Sequence, residues 1–356
     1  MDKKFVMGIA AMAALTLVSC SSDDLDSFSD NSSKNEAISF DGYLGRSAVA
    51  VNGTRGSEET VDQLKTDAFG VFGNYSSTEG TGITTVYGEN LFKNQQVTYD
   101  KTESKWTYTK YKYWLSKGHI DFLAYAPYDA NTALTDSKSK IGFTVSSTIA
   151  DQKDLLWANA ANQTQANNPV KFTFNHALSR LGYTVKLKND CADDVTITLK
   201  KITLAGSDNG TKDVFYTSGT IDLSKANKGA GLWSDQAGQQ KFDWFSGDYQ
   251  VKNSTASHPD GNREKDKDYL FVIPQDFSKS EPDADKLYVI VEYEIKYNDI
   301  SGATVTNVVN KELPYNFEQG KAYTINLTIG RPIDFDVNTV ITAWEDDTTI
   351  PEIPMD

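Results

Sequence analysis

From Ile38 onward, the apolar residues fall in short runs where apolar and polar positions alternate with a period of two. This alternation is typical of β-strands that bury one face. The clearest runs are residues 69–72, 107–111, 172–174, 183–187, 195–199 and 288–295. The pattern therefore predicts a mature chain built from short strands.

Turn signals separate these runs. Asn52-Gly53, Asn209-Gly210, Asp260-Gly261 and Ser301-Gly302 are pairs that tolerate the positive φ of tight turns. A 3.6-residue apolar stripe is not sustained anywhere, and the best helical candidate, residues 151–161, is short. We therefore predict an all-β fold of two β-sandwich domains in tandem.

A domain boundary is predicted near residue 168. Residues 162–169 form a polar stretch rich in Gln and Asn with one proline, and it separates two strand-rich halves. A chain of 356 residues also exceeds the size at which a single core usually stops growing, about 250 residues. The predicted domains are residues 37–168 and residues 169–356.

The N-terminal segment has the pattern of an export signal. Two lysines precede an apolar run over residues 5–18, which is too short to span a membrane. The string Leu17-Val18-Ser19-Cys20 resembles a bacterial lipobox. That resemblance implies a lipoprotein signal peptide over residues 1–19 and lipid attachment at Cys20, with anchoring by acyl chains. The alternative is a plain secretory signal with an incidental cysteine.

The segment after Cys20 is polar. Residues 20–36 carry too little apolar content to pack and predict an acidic, flexible tether. Residues 21–26, Ser-Ser-Asp-Asp-Leu-Asp, resemble the surface-export signal of Bacteroidales lipoproteins. The resemblance implies a surface-exposed lipoprotein of the outer membrane, whereas the alternative is simply a solvated acidic tether.

Composition excludes several partner classes. The chain has 35 basic and 49 acidic residues, a net charge of −14 and a pI near 4.7. Nucleic acid and anionic lipid surfaces would be repelled by this field. Two cysteines cannot build a disulfide framework or a cysteine-rich zinc module, and Cys191 is left as an unpaired thiol.

Catalytic and metal-binding motifs are absent from the sequence. It contains no nucleophile elbow, P-loop, HExxH or dinucleotide fingerprint. The three histidines lie far apart, and His119 and His176 adjoin apolar runs, which favours structural roles. Trp233 and Trp244 lie in a polar region and are the better candidates for exposed contacts. We predict that the chain is not an enzyme and that it has no cofactor and no metal site.

A set of local strings resembles the fimbrillin family, the pilins of Bacteroidales type V pili. None is diagnostic alone, but they occur in order behind the lipobox and cover residues 38–347. They are Thr54-Arg55, residues 69–72 (FGVF), 119–127 (HIDFLAYAP), 154–158 (DLLWA), 170–180 (VKFTFNHALSR), 270–275 (LFVIPQ) and 317–327 (FEQGKAYTINL).

The resemblance implies two transthyretin-like β-sandwich domains and assembly by strand exchange. In that family a trypsin-like protease cuts the lipoprotein precursor after an arginine near its N-terminus. The first strand is then lost, and a strand of the neighbouring subunit fills the groove. Backbone hydrogen bonds give affinity in such β-augmentation, and alternate side chains set the register.

Residues 37–44 are the candidate first strand, with Ile38 and Phe40 on one face. Two arginines follow, Arg46 and Arg55. Arg55 is the preferred maturation site because its surroundings are rich in turn residues, whereas Arg46 adjoins the strand.

The resemblance makes the C-terminal arm, about residues 331–356, the candidate donor. Phe335, Val337 and Ile341 share one face of its strand pattern. The alternative is an ordinary last strand of the second sandwich.

The leading hypothesis is a structural subunit of a cell-surface pilus, exported as a lipoprotein precursor, cleaved and polymerised by donor-strand exchange for adhesion. Its partners would be other copies or homologous pilins, and the outer membrane through the lipid. Two alternatives stay open. One is a surface lipoprotein that binds a glycan or host ligand without polymerising, and the other is a pilus tip or anchor subunit.

Overall fold

The structure is a computed structural model of the chain. It describes residues 36–44, 59–76, 89–135, 138–188, 195–225, 232–252, 256–257, 259, 269–298, 304–330 and 335–344. From Glu36 onward the chain forms one compact unit.

Strands make up most of the first half of the described chain. They are β1 (Phe40–Leu44), β2 (Phe69–Ser76), β3 (Glu89–Asp100), β4 (Lys105–Thr107), β5 (His119–Ala126), β6 (Lys140–Thr144), β7 (Leu156–Gln163) and β8 (Val170–His176). One helix, α1 (Val61–Asp67), precedes β2, and short 3-10 turns occur at Ile149–Asp151 and Gln165–Asn167.

Seven of these strands form one sheet in the order β1-β8-β7-β5-β2-β3-β4. Its neighbours run antiparallel, except that β1 pairs parallel with β8. The first and last strands of this order, β1 and β4, lie against each other. The sheet therefore wraps around the core that it encloses.

The second half adds twelve strands. They are β9 (Ser179–Leu187), β10 (Val195–Ala205), β11 (Phe215–Asp222), β12 (Trp233–Gln240), β13 (Phe242–Val251), β14 (Leu270–Val272), β15 (Gln275–Asp276), β16 (Tyr288–Tyr297), β17 (Thr304–Glu312), β18 (Asn316–Phe317), β19 (Lys321–Ile329) and β20 (Phe335–Ala343). Two four-stranded sheets, β13-β10-β16-β17 and β14-β9-β19-β20, share one apolar core. The predicted all-β fold class is thus confirmed.

Strands with both faces buried hold the first half to the rest. All eight residues of β5 are buried. Ile120, Phe122 and Ala124 face the core of the seven-stranded sheet. Leu123 and Tyr125 face the opposite way, into a second apolar cluster that also contains residues of β11, β14 and β19. This second cluster is called the seam below.

The predicted helical candidate at residues 151–161 is wrong. The segment contains the end of a 3-10 turn and the start of β7. Leu156 and Ala158 are buried in the core of the seven-stranded sheet, whereas Leu155 and Trp157 are buried in the seam. A strand that buries both faces shows an unbroken apolar run, which periodicity cannot distinguish from a buried helix.

Strand β6 leaves the first half to pair elsewhere. It precedes the predicted boundary at residue 168 in sequence but pairs antiparallel with β11, in the three-stranded sheet β12-β11-β6. The division into domains 37–168 and 169–356 stays a prediction.

Two strand glycines offer a matched test of how tightly the seam is packed. A Cβ at Gly70 on β2 would lie less than 3.0 Å from the Tyr125 ring and the Asn94 amide, whereas a Cβ at Gly142 on β6 meets nothing within 4 Å. We expect Gly70→Ala to lower the free energy of unfolding by about 1–3 kcal/mol and Gly142→Ala to leave it within about 0.5 kcal/mol. Urea unfolding monitored by tryptophan fluorescence measures both, and equal effects would contradict the packing.

Candidate assembly site

The first strand completes an aromatic core. Ile38 and Phe40 are 0% and 4% exposed and lie in the core of the seven-stranded sheet. The Phe40 ring centroid is 5.4 Å from that of Phe122 and 5.5 Å from those of Phe92 and Tyr108. Successive side chains of a strand point to opposite faces, so Ile38 and Phe40 share the inward face as predicted.

The backbone of this segment bonds to two different parts of the chain. Phe40 to Leu44 pair with Val170 to Phe174 of β8. Upstream, the Ile38 N–H donates to Lys112 O at 2.8 Å, and the Tyr108 hydroxyl donates to Ile38 O at 2.8 Å.

The side chain of Asn168 adds two more contacts to the same segment. Its Oδ1 accepts from the Ser39 N–H at 2.9 Å, and its Nδ2 donates to Ala37 O at 3.1 Å. Segment 36–44 is therefore bonded on both sides at its upstream end, and from Phe40 to Leu44 it pairs with β8 as the edge strand of the sheet.

Loss of this segment would open a cleft. The cleft would be lined by aromatic rings that Phe40 now covers, and the free edge of β8 would offer backbone groups to a new strand. A long apolar cleft with an unpaired edge binds extended peptide by β-augmentation and otherwise promotes aggregation. The geometry thus suits exchange of one strand for another.

The residues predicted for lipid attachment and maturation, Cys20, Arg46 and Arg55, lie outside the described residues, as does Cys191. The described chain ends at Leu44 and resumes at Glu59. Both arginines therefore lie between β1 and the rest of the fold in sequence, and a cut at either would separate β1 covalently from all the later strands.

The candidate donor strand is β20, at the edge of its sheet. It pairs antiparallel with β19 from Phe335 to Ala343 without a register shift. Val337 and Ile341 lie four positions apart on this strand, so its period of two places them on one face. Val337 is half-buried against the core, and Ile341 is 51% exposed. Within the described chain, β20 is thus paired as a last strand but is shallowly packed.

Trp344 anchors the end of this arm. Its ring lies between those of His176, at 4.0 Å and 4°, and Phe271, at 5.6 Å and 12°. The Arg180 guanidinium lies 5.3 Å from the Trp344 ring centroid. Such stacking of a buried indole contributes on the order of 1 kcal/mol beyond its burial. No local sequence pattern singles out Trp344, which is brought to its partners only by folding.

A buried polar group links the start of the second described segment to this anchor. Asp154 Oδ2 accepts from the Glu59 N–H at 3.0 Å and lies 2.8 Å from His176 Nδ1. His176 is thus a structural histidine, as predicted. Burial, with the nearby charges of Asp67 and Asp154, raises the pKa of Glu59 to about 9, partly offset by Lys153.

Neither of the two tryptophans that were the better candidates for exposed contacts is exposed. Trp244 is 4% exposed in the core of the second half. Trp233 is half-buried against the seam, and its Nε1 donates to Ala177 O at 2.7 Å. Both lie on strands, so the polar composition around them reflected outward-facing neighbours. The second predicted structural histidine, His119, is also buried, and its Nε2 lies 3.6 Å from Asp121 Oδ2.

Within the described ranges, no helix combines the length and apolar character needed to cross a membrane. The same ranges contain no group of three or more His, Cys, Asp or Glu residues arranged to hold a metal ion.

Comparison with known families and structures gives a consistent result. Residues 54–344, most of the chain, match the family described as fimbrillin-like. The match begins after β1 and ends at Trp344. No curated protein matches the chain significantly.

Among solved structures, a fimbrial protein from Bacteroides vulgatus matches with a TM-score of 0.63 and 20% identity, over 86% of this chain and 99% of that one. This likeness supports the fold. A protein provisionally assigned to cell adhesion, from Bacteroides uniformis, matches with a TM-score of 0.47 and 14% identity, over 87% and 99% of the two chains. The tip fimbrial protein Mfa3 from Porphyromonas gingivalis matches with a TM-score of 0.36 and 9% identity, over 79% of this chain and 96% of that one.

The raised pKa of Glu59 predicts a pH-dependent stability. The folded protein keeps a proton that the unfolded chain loses near pH 4.5, so this group lowers stability as pH rises from about 4.5 to about 9. We expect Glu59→Gln to match the wild type at pH 5 and to be at least about 2 kcal/mol more stable at pH 8. Chemical denaturation at both pH values measures this. Glu281→Gln, at an exposed position, is the control, and parallel pH curves for Glu59→Gln and wild type would contradict the prediction.

The stacking of Trp344 predicts that this residue controls opening of the arm. We expect Trp344→Ala to increase hydrogen exchange of the β20 amides at least about tenfold, because removing a buried Trp costs about 3–5 kcal/mol. Ile341→Ala, on the same strand but exposed, should change exchange by less than about twofold. Exchange monitored by mass spectrometry measures both, and unchanged exchange in Trp344→Ala would show that the anchor lies elsewhere.

Proposed function

Since the chain belongs to the fimbrillin-like family, whose members are pilus-related surface subunits, we propose that it is the lipoprotein precursor of a type V pilus subunit that polymerises by donor-strand exchange. The family consists of structural adhesion proteins, in agreement with the prediction that the chain is not an enzyme. The partners of the polymerised form would be other copies or homologous pilins, and the pilus would support surface attachment.

The observation that carries this proposal is the position of β1. It fills the aromatic core with Ile38 and Phe40, yet it lies at the edge of its sheet and before the region matched by the family. An edge strand can be replaced without breaking the pairing of any inner strand. Cleavage between β1 and Glu59 would allow that replacement.

We assign cleavage to Arg55, with Arg46 as the alternative. Arg55 lies four residues before Glu59 and one residue inside the matched region. A cut there releases Cys20, the acidic tether and β1 together. Before the cut, the acyl chains on Cys20 would hold the precursor at the outer membrane, and the surface-export signal would place it on the exposed side.

The arm from about residue 331 to 356 is the proposed donor, inserting Phe335, Val337 and Ile341 into the cleft of the next subunit. Ile341 is 51% exposed in its present position, whereas Phe40 is 4% exposed in the cleft. Burial of apolar surface contributes about 25 cal/mol per Å². An arm that moves into the cleft therefore gains burial that it lacks on β19, which favours exchange.

In this proposal the two domains have different roles in assembly. The domain of residues 37–168 provides Phe92, Tyr108 and Phe122 of the cleft, whereas the domain of residues 169–356 provides the β8 edge of the cleft and the arm. Each subunit then accepts one strand and donates one strand. A head-to-tail contact of this kind generates an open filament when the rotation between successive subunits does not close a ring.

A second candidate function is a surface lipoprotein that binds a glycan or host ligand and does not polymerise. The continuous pairing of β20 with β19 favours it, since this is the arrangement of an ordinary last strand. Exposed aromatic residues at Tyr111 and Tyr113, 55% and 53% exposed, offer stacking surface for a sugar ring. A tip or anchor subunit is a further variant, and an anchor would keep its lipid.

The pilin proposal predicts heat-labile ladders on a denaturing gel after trypsin treatment of the chain from residue 20 onward with Cys20→Ser. Ladders should persist in Arg46→Gln and should disappear in the double variant Arg46→Gln/Arg55→Gln, because no trypsin site is then left between β1 and Glu59. Val337→Asp should weaken them, since it places a charge in the cleft, whereas Asn338→Asp, exposed on the opposite face, should not.

N-terminal sequencing of protein taken from the cell surface complements the gel. Gly56 as the first residue supports cleavage after Arg55, and Ser47 as the first residue indicates cleavage after Arg46. A blocked Cys20 indicates an anchor or an uncleaved binding protein. Absence of ladders from the fully cleaved chain would contradict polymerisation and favour the second candidate.

A further inference from the structure

A cavity of about 360 Å³ lies beside the first described residue after the predicted cleavage segment. It is lined by Glu59, Asp67, Pro127, Tyr128, Lys153 and Asp154. Three of these residues are carboxylic acids and one is a base. The cavity therefore carries an excess of acidic groups.

Two carboxyl oxygens that belong to residues lining this cavity are buried without a hydrogen-bond partner. Glu59 is 3% exposed and Asp154 is 1% exposed. Glu59 Oε1 and Asp154 Oδ1 have no hydrogen-bond partner within the described part of the chain. An unpaired buried carboxylate oxygen costs free energy, and a positively charged donor would satisfy both.

The charges around Glu59 explain why a cation fits. Asp67 at the end of α1 and Asp154 both disfavour ionisation of Glu59, and Lys153 only partly compensates. Tyr128 adds no charge, and His176 is engaged with the other oxygen of Asp154. Lys153 is the basic residue among the described residues that line the cavity, and it makes no hydrogen bond to Glu59 Oε1 or to Asp154 Oδ1.

Cleavage after Arg55 creates such a group close by. It leaves Gly56 as the N-terminal residue, three positions before Glu59. Three extended residues span about 10 Å. The Glu59 backbone is already fixed by its bond to Asp154, so the new terminus is tethered at the cavity.

We propose that this cavity, called the acidic pocket below, binds the α-ammonium group of Gly56 once cleavage after Arg55 has produced it. The inference rests on the proposed maturation site. The pocket receives the ammonium between Glu59 and Asp154, which ionises Glu59 and pairs the free Asp154 oxygen. In the uncut precursor the Gly56 nitrogen is part of a neutral peptide bond, so it offers no cation to the pocket.

A tethered ammonium is favoured over a cation from solution. A short tether gives an effective concentration in the millimolar range. The described residues also contain no cluster with the ligand set of a metal site. The occupant is thus part of the chain itself.

Occupation of the pocket would connect cleavage to the C-terminal arm. Asp154 contacts both the Glu59 backbone and His176, and His176 stacks on Trp344. A change of charge at Glu59 and Asp154 therefore occurs two contacts away from the anchor of β20.

The test measures the pKa of the new α-amino group. The protein used is the chain from residue 20 onward with Cys20→Ser. It is cut after Arg55, and the two fragments are kept together. Competitive acylation across pH, read by mass spectrometry, gives this pKa. The matched control carries Ser-Gly-Ser-Gly inserted between Arg55 and Gly56, which moves the terminus away from the pocket. A second variant, Glu59→Gln with Asp154→Asn, removes both acids.

We expect the α-amino pKa to lie at least about one unit above its ordinary 7.7–8.0 and acylation at pH 8 to be at least about fourfold slower than in the insertion control. The double variant should react like that control. An ordinary pKa for the Gly56 α-amino group would overturn the inference. It would also be overturned if millimolar calcium chloride raised the acylation rate of Gly56 to that of the insertion control. Ladders formed by a chain with a freely reactive Gly56 would overturn the pocket while leaving the pilin proposal intact.

Discussion

The packing of Ile38 and Phe40 into the aromatic core of the first sheet is the contact on which the rest of the arrangement depends. These side chains are covered by Phe92, Tyr108 and Phe122, while the backbone bonds to β8 on one side and to Lys112 on the other. Because β1 and β4 meet, the sheet wraps closed only when this strand is present. Because this strand lies at the edge of the sheet, a different strand could pair in the same position and complete the fold.

The last strand of the second half differs from β1, because it is only loosely packed. Strand β20 follows β19 along its whole length, but its described side chains are half-buried or exposed. Backbone pairing keeps the arm in place, and Trp344 supplies the main apolar contact at its end. The two ends of the described chain therefore differ in the depth of their packing, which gives the proposed exchange its direction.

The acidic pocket is connected to both of these ends by covalent linkage or by contacts. Glu59 begins the described chain after β1, and Asp154 joins it to His176 and so to Trp344. Buried acids are expensive unless paired. The placement of Glu59 next to Asp154 and Asp67 therefore lowers the stability of the fold as pH rises, because the buried carboxyl keeps its proton.

Alternation along the chain was enough to predict the all-β class, the strands at residues 172–174 and 183–187, and the inward face of Ile38 and Phe40, because a strand with one buried face has that period. It failed at residues 151–161, where both faces are buried, and at α1, whose seven residues are too few to show a helical period. Trp344, Glu59 and Asp154 carry no local signal, since their partners are distant in sequence. Tertiary structure alone decided that β6 pairs with β11, that Trp244 is buried, and that the arm ends on His176. Pairing and burial across such distances depend on which surfaces the folded chain brings together, and no local pattern contains that information.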